Sequence, residues 1–298
     1  MNDEQLMIQT FCQSYNKYLY DKTVIGKLAH QAFKDNLKKG TEVDILMPAM
    51  VQLFDYTGGD LQDAQEAGTS HAKIRIDKGK AFHFFIDEVK KQEIADAPDL
   101  EQKIKLAKEY CDDAIEQFAA CVDTAYGELW ANAGHYLAGS ADAAITLTAQ
   151  NAKDIFAYMQ AEFQRGDEKG HTNWVDGQML AIVPPEYQFY LGKLDDLKYV
   201  ETGHKKMEKG FIGMLSGWKI LVSNNIHRDA GDKDVHYPLF GIAGKTLAGG
   251  VQKKLTVKTY EPDKNFNTAY KGYALYGVGA PRADFLGTVK VKAPLSIS

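Results

Sequence analysis

The sequence predicts an α+β protein organised around one long helix, and three observations carry that expectation. Val43, Ile45 and Met47 alternate with Glu42, Asp44 and Leu46, and Ile74 and Ile76 with Lys73, Arg75 and Asp77, which is strand spacing. Leu100, Ile104, Ala107, Cys111, Ala114, Phe118, Val122, Ala125 and Leu129 recur in steps of three and four. That is one helix of about thirty residues, roughly 45 Å long at the standard rise. Finally, helix and strand patterns alternate between residues 140 and 250, and strands alone follow Lys254.

The bulk numbers fit a folded chain. At 298 residues, 45% apolar and 25% charged, there is enough apolar side chain for one large or two modest cores. The net charge is -5, and arginine occurs only at Arg75, Arg165, Arg228 and Arg282. The charge counts weakly against non-specific nucleic-acid binding, and bidentate phosphate or guanine recognition normally leans on arginine. Cys12, Cys111 and Cys121 are widely spaced and odd in number, which supports neither a disulfide framework nor a zinc site. The opening MNDEQLMIQTF lacks the basic-then-apolar order of a signal peptide, and no stretch approaches the ~20 apolar residues of a membrane helix. These features predict a reduced, soluble, intracellular place of synthesis and no membrane partner.

Taken in order, residues 1–38 read as an amphipathic, mostly helical leader, with Phe11, Tyr15, Tyr18 and Leu19, then Leu28, Ala32 and Phe33, at helical spacing. Residues 41–80 read as a long two-stranded excursion with Gly58-Gly59 marking a turn. A lone hairpin is marginal in water, so it must lie on a neighbouring domain or another subunit. Phe82, Phe84 and Ile86 continue as a strand. Asp99 then caps the long helix, with Gln102 placed for a capping box. The second half of that helix, FAACVDTAYGELW, is apolar nearly all round and should be buried. Ile155, Phe156, Met159 and Phe163 mark a helix after QNAKD, QMLAIV a buried strand stopped by Pro184-Pro185, and EYQFYL another helix. Trp218, Ile220 and Val222 alternate as a strand, and Leu255 and Val257, Tyr273 and Leu275, and Val289 and Val291 mark the last ones.

Candidate chemistry is sparse. Gly244-Lys245-Thr246 ends like a phosphate-binding loop, but the motif needs a glycine where Leu239 stands, and a helix afterwards where LAGGVQKKL follows. The eight histidines (His30, His71, His83, His135, His171, His204, His227, His236) show no HxxxH or HxH pair, so they read as surface or hydrogen-bonding residues. Asp112-Asp113 and Asp195-Asp196 read as solvated helix faces, and the runs FHFF and YQFY as packing. There is no Gly-x-Ser-x-Gly elbow and no cysteine in a nucleophile setting. The reading is therefore of a non-enzyme, with no catalytic, cofactor-binding or metal residues assigned and no cofactor.

One resemblance gives these elements a common meaning. TEVDILMPAMVQLFDYTGGDLQDAQ, then IDKGKAFHFFIDEVKKQE and a long helix, resembles the extended loop and first strands of tailed-bacteriophage major capsid proteins of the Hong Kong 97-type fold. NAKDIFAYMQAEF, AIVPPEYQFYL, GFIGMLSGWKILVSNNI and YPLFGIAGKTLAGG look like successive segments of that family's axial domain, in order. The resemblance implies an N-terminal arm at 1–40 and an extended loop at 41–80. It implies a peripheral domain at 81–135 and 252–298, with a spine helix near 98–132, and an axial domain at 136–251. It further implies a shell subunit that assembles with itself into pentamers and hexamers around double-stranded DNA, held on the inner face without sequence-specific binding.

The partners so implied are a portal protein at one vertex, decoration proteins, and a scaffolding protein, expected to be separate or already removed because the chain enters the arm almost at residue 1. The location implied is the virion, after synthesis in the bacterial host cytoplasm. No cross-link is assigned. Two alternatives stand beside this reading: an encapsulin-like compartment shell, and a soluble nucleotide-binding α/β enzyme using Gly244–Thr246.

Overall fold

The computed structural model describes residues 23–30, 42–48, 69–86, 100–165, 178–193, 211–260 and 268–295. Expectations for the Asp99 cap, for His171 and His204, and for the hairpin tip lie outside these residues.

Two layers of sheet share one long helix. Helix α1 (Leu100–Gly127) runs for 28 residues and tightens into a 3-10 turn at Glu128–Asn132, as the three-and-four spacing predicts. It packs on a four-stranded sheet of order β1-β12-β13-β4. These strands are β1 (Ala29–His30), β12 (Leu247–Tyr260), β13 (Thr268–Gly279) and β4 (Lys78–Ile86). Phe118, Ala119, Val122, Ala125 and Tyr126 of α1 are buried with Ala274 and Tyr276 of β13. Phe118 meets Tyr276 edge to face at 5.5 Å.

Of the leader, only Thr23–His30 is described; every position read at helical spacing there except Leu28 lies outside the described residues. Thr23–His30 is a single 3-10 turn, Ile25–Leu28, followed by β1, which pairs in parallel with β12. Val24, Ile25 and Leu28 are buried in the same core as α1. Asp123 on α1 accepts from the Val24 and Gly26 amides at 2.7 and 3.2 Å and fixes this turn.

The second layer is a six-stranded sheet of order β5-β14-β11-β7-β9-β8. Its members are β5 (His135–Leu137), β14 (Leu286–Val289), β11 (Leu239–Ile242), β7 (Met179–Val183), β9 (Trp218–Val222) and β8 (Phe211–Leu215). Strand β7 is buried throughout, which explains its continuous apolar run. Leu180 and Ile182 face the α1 core, while Met179, Ala181 and Val183 face a second core. That second core lies beneath α2 (Ala149–Arg165) and α3 (Pro185–Leu191). Phe156, Phe163, Trp218 and Phe240 interlock there edge to face at 5.2–5.5 Å, and the Trp218 indole donates to the Phe156 carbonyl at 3.1 Å.

Local chemistry sets the ends of these helices. Helix α2 begins before its expected start because Thr148 and Asn151 cap each other: each backbone amide donates to the other's side chain, at 2.7 and 3.2 Å. Helix α3 starts on Pro185, the first-turn position where a missing amide costs nothing. Ser216 and Gly217, both at positive φ, form the two-residue turn between β8 and β9.

The last strands fall where alternation marks them. After Gly279 the chain leaves the four-stranded sheet, and β14 pairs with β11 and β5. Strand β15 (Val291–Lys292) joins β10 (Val235–His236) and β6 (Ile145–Thr146) in a third, three-stranded sheet. Leu286, Val289 and Val291 are wholly buried, so burial in the larger cores decides their sheet, which strand spacing alone does not specify.

Candidate functional site

The feature that stands apart from both cores is a hairpin. Strand β2 (Glu42–Pro48) pairs antiparallel with β3 (Thr69–Arg75), from Glu42 opposite Arg75 to Pro48 opposite Thr69. The two form a sheet of their own, joined to no third strand among the described residues. Exposed charges line its base: Glu42 takes Arg75 at 2.8 Å and Lys73 at 3.9 Å.

Its anchorage is narrow. Ile74 is buried, and its Cγ1 lies 3.0 Å from where a side chain on Gly279 would begin. The Arg75 carbonyl crosses β13 at Gly277, and a Cβ on Gly277 would overlap that oxygen. Glycine is therefore required where the hairpin base crosses the sheet. Strand β4 starts at Lys78, inside the expected 41–80 excursion, because Lys78–Lys80 already pair with Ala274–Tyr276.

The other candidates resolve into structural roles. Gly244-Lys245-Thr246 lies in the turn between β11 and β12, with no helix following it. Gly244 sits at φ +67° and its amide donates to the Lys27 carbonyl at 3.0 Å. Thr246 is wholly buried; its hydroxyl accepts from the Ile242 amide at 2.7 Å and is 3.0 and 3.1 Å from the Ile242 and Phe285 carbonyls. A hydroxyl so occupied cannot serve a metal–phosphate complex.

Of the histidines, His83 is exposed, with its Nε2 2.8 Å from the Tyr260 hydroxyl. The Nε2 of His135 is 3.0 Å from the Asp284 carbonyl oxygen, and Nδ1 of His227 is 2.9 Å from Glu128 Oε1. His236 overturns the surface reading: it is wholly buried, and neither ring nitrogen has a hydrogen-bond partner. Strand packing against β15 puts it there, and nothing in its local sequence signals it.

No three His, Cys, Asp or Glu side chains among the described residues are grouped to hold a metal ion. The acidic residue Asp113 is exposed and accepts from Gln117 at 2.9 Å, a solvated helix face as expected. Tyr187 and Tyr190 of the YQFY run are core residues. Cys121 is a half-buried thiol in an open groove of about 330 Å³ between α1 and the four-stranded sheet, beside Lys78, Lys80, Thr124 and Tyr276. No described helix is long and apolar enough to cross a membrane.

Sequence reasoning missed Asp123. It is buried on α1 and holds the residue 23–28 turn; burial raises its pKa above the usual carboxylate value, against the amides of Val24, Gly26 and Ile25 and the Asn225 side chain. A lone acid inside the apolar run FAACVDTAYG was the available signal.

No protein-family model matches the chain, and no curated protein matches it in sequence. Solved structures do match, along nearly its whole length. A structure from Mycobacterium phage Che8 shares 21% identity over 90% of each chain, with a TM-score of 0.65. The capsid structure of the cyanophage P-SCSP1u shares 14% over 92% of this chain and 89% of its own, at 0.63. A virus-like particle from Pyrococcus furiosus shares 11% over 98% and 100%, at 0.55. The chain thus has the phage-capsid fold of the Hong Kong 97 type, an α+β arrangement with a long helix and a separate two-stranded hairpin.

Proposed function

We propose that this chain is the major capsid protein of a tailed bacteriophage, a structural subunit that assembles with copies of itself into an icosahedral shell around double-stranded DNA. The observation that carries the reading is the β2–β3 hairpin. Its base crosses β13 at Gly277 and its two strands form a sheet of their own, a form that is marginal in water unless another surface covers it. A second copy supplies that surface. Repetition by symmetry then multiplies one modest contact over a whole closed particle.

In this reading residues 1–40 are the N-terminal arm, with Thr23–His30 its fastened root. Residues 41–80 are the extended loop, with its last few residues in the sheet. The four-stranded sheet and α1 make the peripheral domain, and the six-stranded sheet with α2 and α3 makes the axial domain. The subunit acts by shape and catalyses no reaction. Its further partners are a portal protein at one vertex, a scaffolding protein and decoration proteins, and its place is the virion after assembly in the host cytoplasm.

The particle from Pyrococcus furiosus keeps a second reading in play, a shell of the same fold around a different cargo. Electron microscopy of the concentrated protein tests both. Closed icosahedral particles are expected, and particles purified from infected cells should hold double-stranded DNA. Particles filled with protein would select the second reading. A compact monomer at every concentration would overturn both.

A further inference from the structure

His236 lies in β10, wholly buried, with Nε2 3.8 Å from Oε2 of Glu186 in the first turn of α3. That is too long for a hydrogen bond. Both ring nitrogens of His236 and this oxygen of Glu186 are buried without partners. The other Glu186 oxygen accepts from Arg228 Nη2 at 3.2 Å, and the same nitrogen donates to Asn224 at 2.7 Å. The charged groups facing the ring are Glu186 from α3 and Arg228, Asp232 and Asp234 from the connecting loop. Lys292, on the paired strand β15, is occupied by Asp232 at 2.5 Å.

Such an arrangement is poised but unmade. A neutral imidazole offers one donor and one acceptor, and here neither is used. Protonation would make both nitrogens donors and set a full positive charge beside the unpartnered Glu186 oxygen. A charge-assisted bond needs the two atoms about 1 Å closer than they stand. The loop that carries Arg228 is fastened independently at its far side, where His227 meets Glu128 and stacks on Trp130 at 5.3 Å. Closure would therefore move the first turn of α3, not the loop.

We propose that the contact between the first turn of α3 and β10 is a proton-operated switch, with His236 the sensor and Glu186 the group that closes onto it. Burial holds the His236 pKa below its ordinary 6.5; Glu186, Asp234 and Asp232 pull it up and Arg228 pulls it down. The ring is thus neutral at neutral pH. As the pH falls below 6.5, any state in which the ring is relieved of that penalty takes the proton first. The open contact loses stability through that window, and the closed, ion-paired one gains population.

Hydrogen exchange of the full chain, read by mass spectrometry at pH 8 and pH 5 and corrected for intrinsic rates, tests the switch. Amides of Tyr187–Leu191 and Val235–Tyr237 should gain roughly threefold or more in protection on acidification. Glu186→Gln and His236→Gln should each abolish that gain. An unchanged wild type overturns the proposal, and so does a gain that survives in Glu186→Gln. The second arm does not depend on His236→Gln folding. The response belongs to one subunit and reads the same whether or not shells form, so its failure leaves the assembly reading standing, and the reverse holds too.

Discussion

Single residues decide how the pieces of this chain are fastened. Asp123 grips Val24 with one oxygen and Gly26 with the other, so an amide in its place satisfies one N–H and turns a donor on the second. Asp123→Asn should cost about 1–3 kcal/mol in chemical unfolding. The pH dependence has a definite sign. Because the Asp123 pKa is raised, chiefly by burial, its stabilising contribution is complete below 3.8 and is lost as pH rises through the raised value. Asp142 behaves oppositely: hydrogen bonds from Tyr136 and Lys290 lower its pKa, so its contribution is present above 3.8 and lost as pH falls through the lowered value. Urea midpoints from pH 3 to 7 for Asp123→Asn and Asp142→Asn should therefore diverge from wild type in opposite directions. Thr246 makes the third residue-scale case. Magnesium ATP or GTP should leave the unfolding temperature unmoved, since the hydroxyl a nucleotide would need is spent inside a β-turn.

The elements were legible in proportion to how local their causes are. The α1 stripe could be read because every third or fourth side chain had to be apolar, and Phe118 is buried as that stripe requires. Phe118→Ala should cost ~3–5 kcal/mol, measured by denaturant unfolding of the unassembled subunit. The continuous run of β7 could be read as well, since a strand buried on both faces has no polar side. The turn at residues 25–28 could not: a carboxylate nearly a hundred positions away holds it. Gly277 was equally silent, because its need for bareness comes from the Arg75 carbonyl of another strand. Gly277→Val should push the hairpin base off β13 and impair assembly, while α1 and both cores keep their exchange protection.

At the scale of the whole molecule, the proposed function separates folding from assembly at the hairpin. No described residue of β2 belongs to either core. Pro48 faces Thr69, so residues 49–68 can be replaced by a two-residue turn without disturbing that register. The shortened chain should unfold within about 1 kcal/mol of the full-length subunit. It should nevertheless fail to form closed particles in sedimentation and electron microscopy. Normal particles from that variant would mean that the ribbon does not join one copy to the next.

By itself the sequence determined the fold class, the long helix, most strands and the look-alike status of Gly244–Thr246. Each of these rests on periodicity, or on a motif position that is filled or missing, and such information is local. Only the tertiary structure decided that β14 joins the six-stranded sheet and β15 a three-stranded one, that Asp123 ties down residues 24–26, and that His236 is buried beside an unpartnered carboxylate. Those facts depend on which distant surfaces come together, and a free-energy difference between two long-range pairings leaves no mark on the spacing of neighbouring residues.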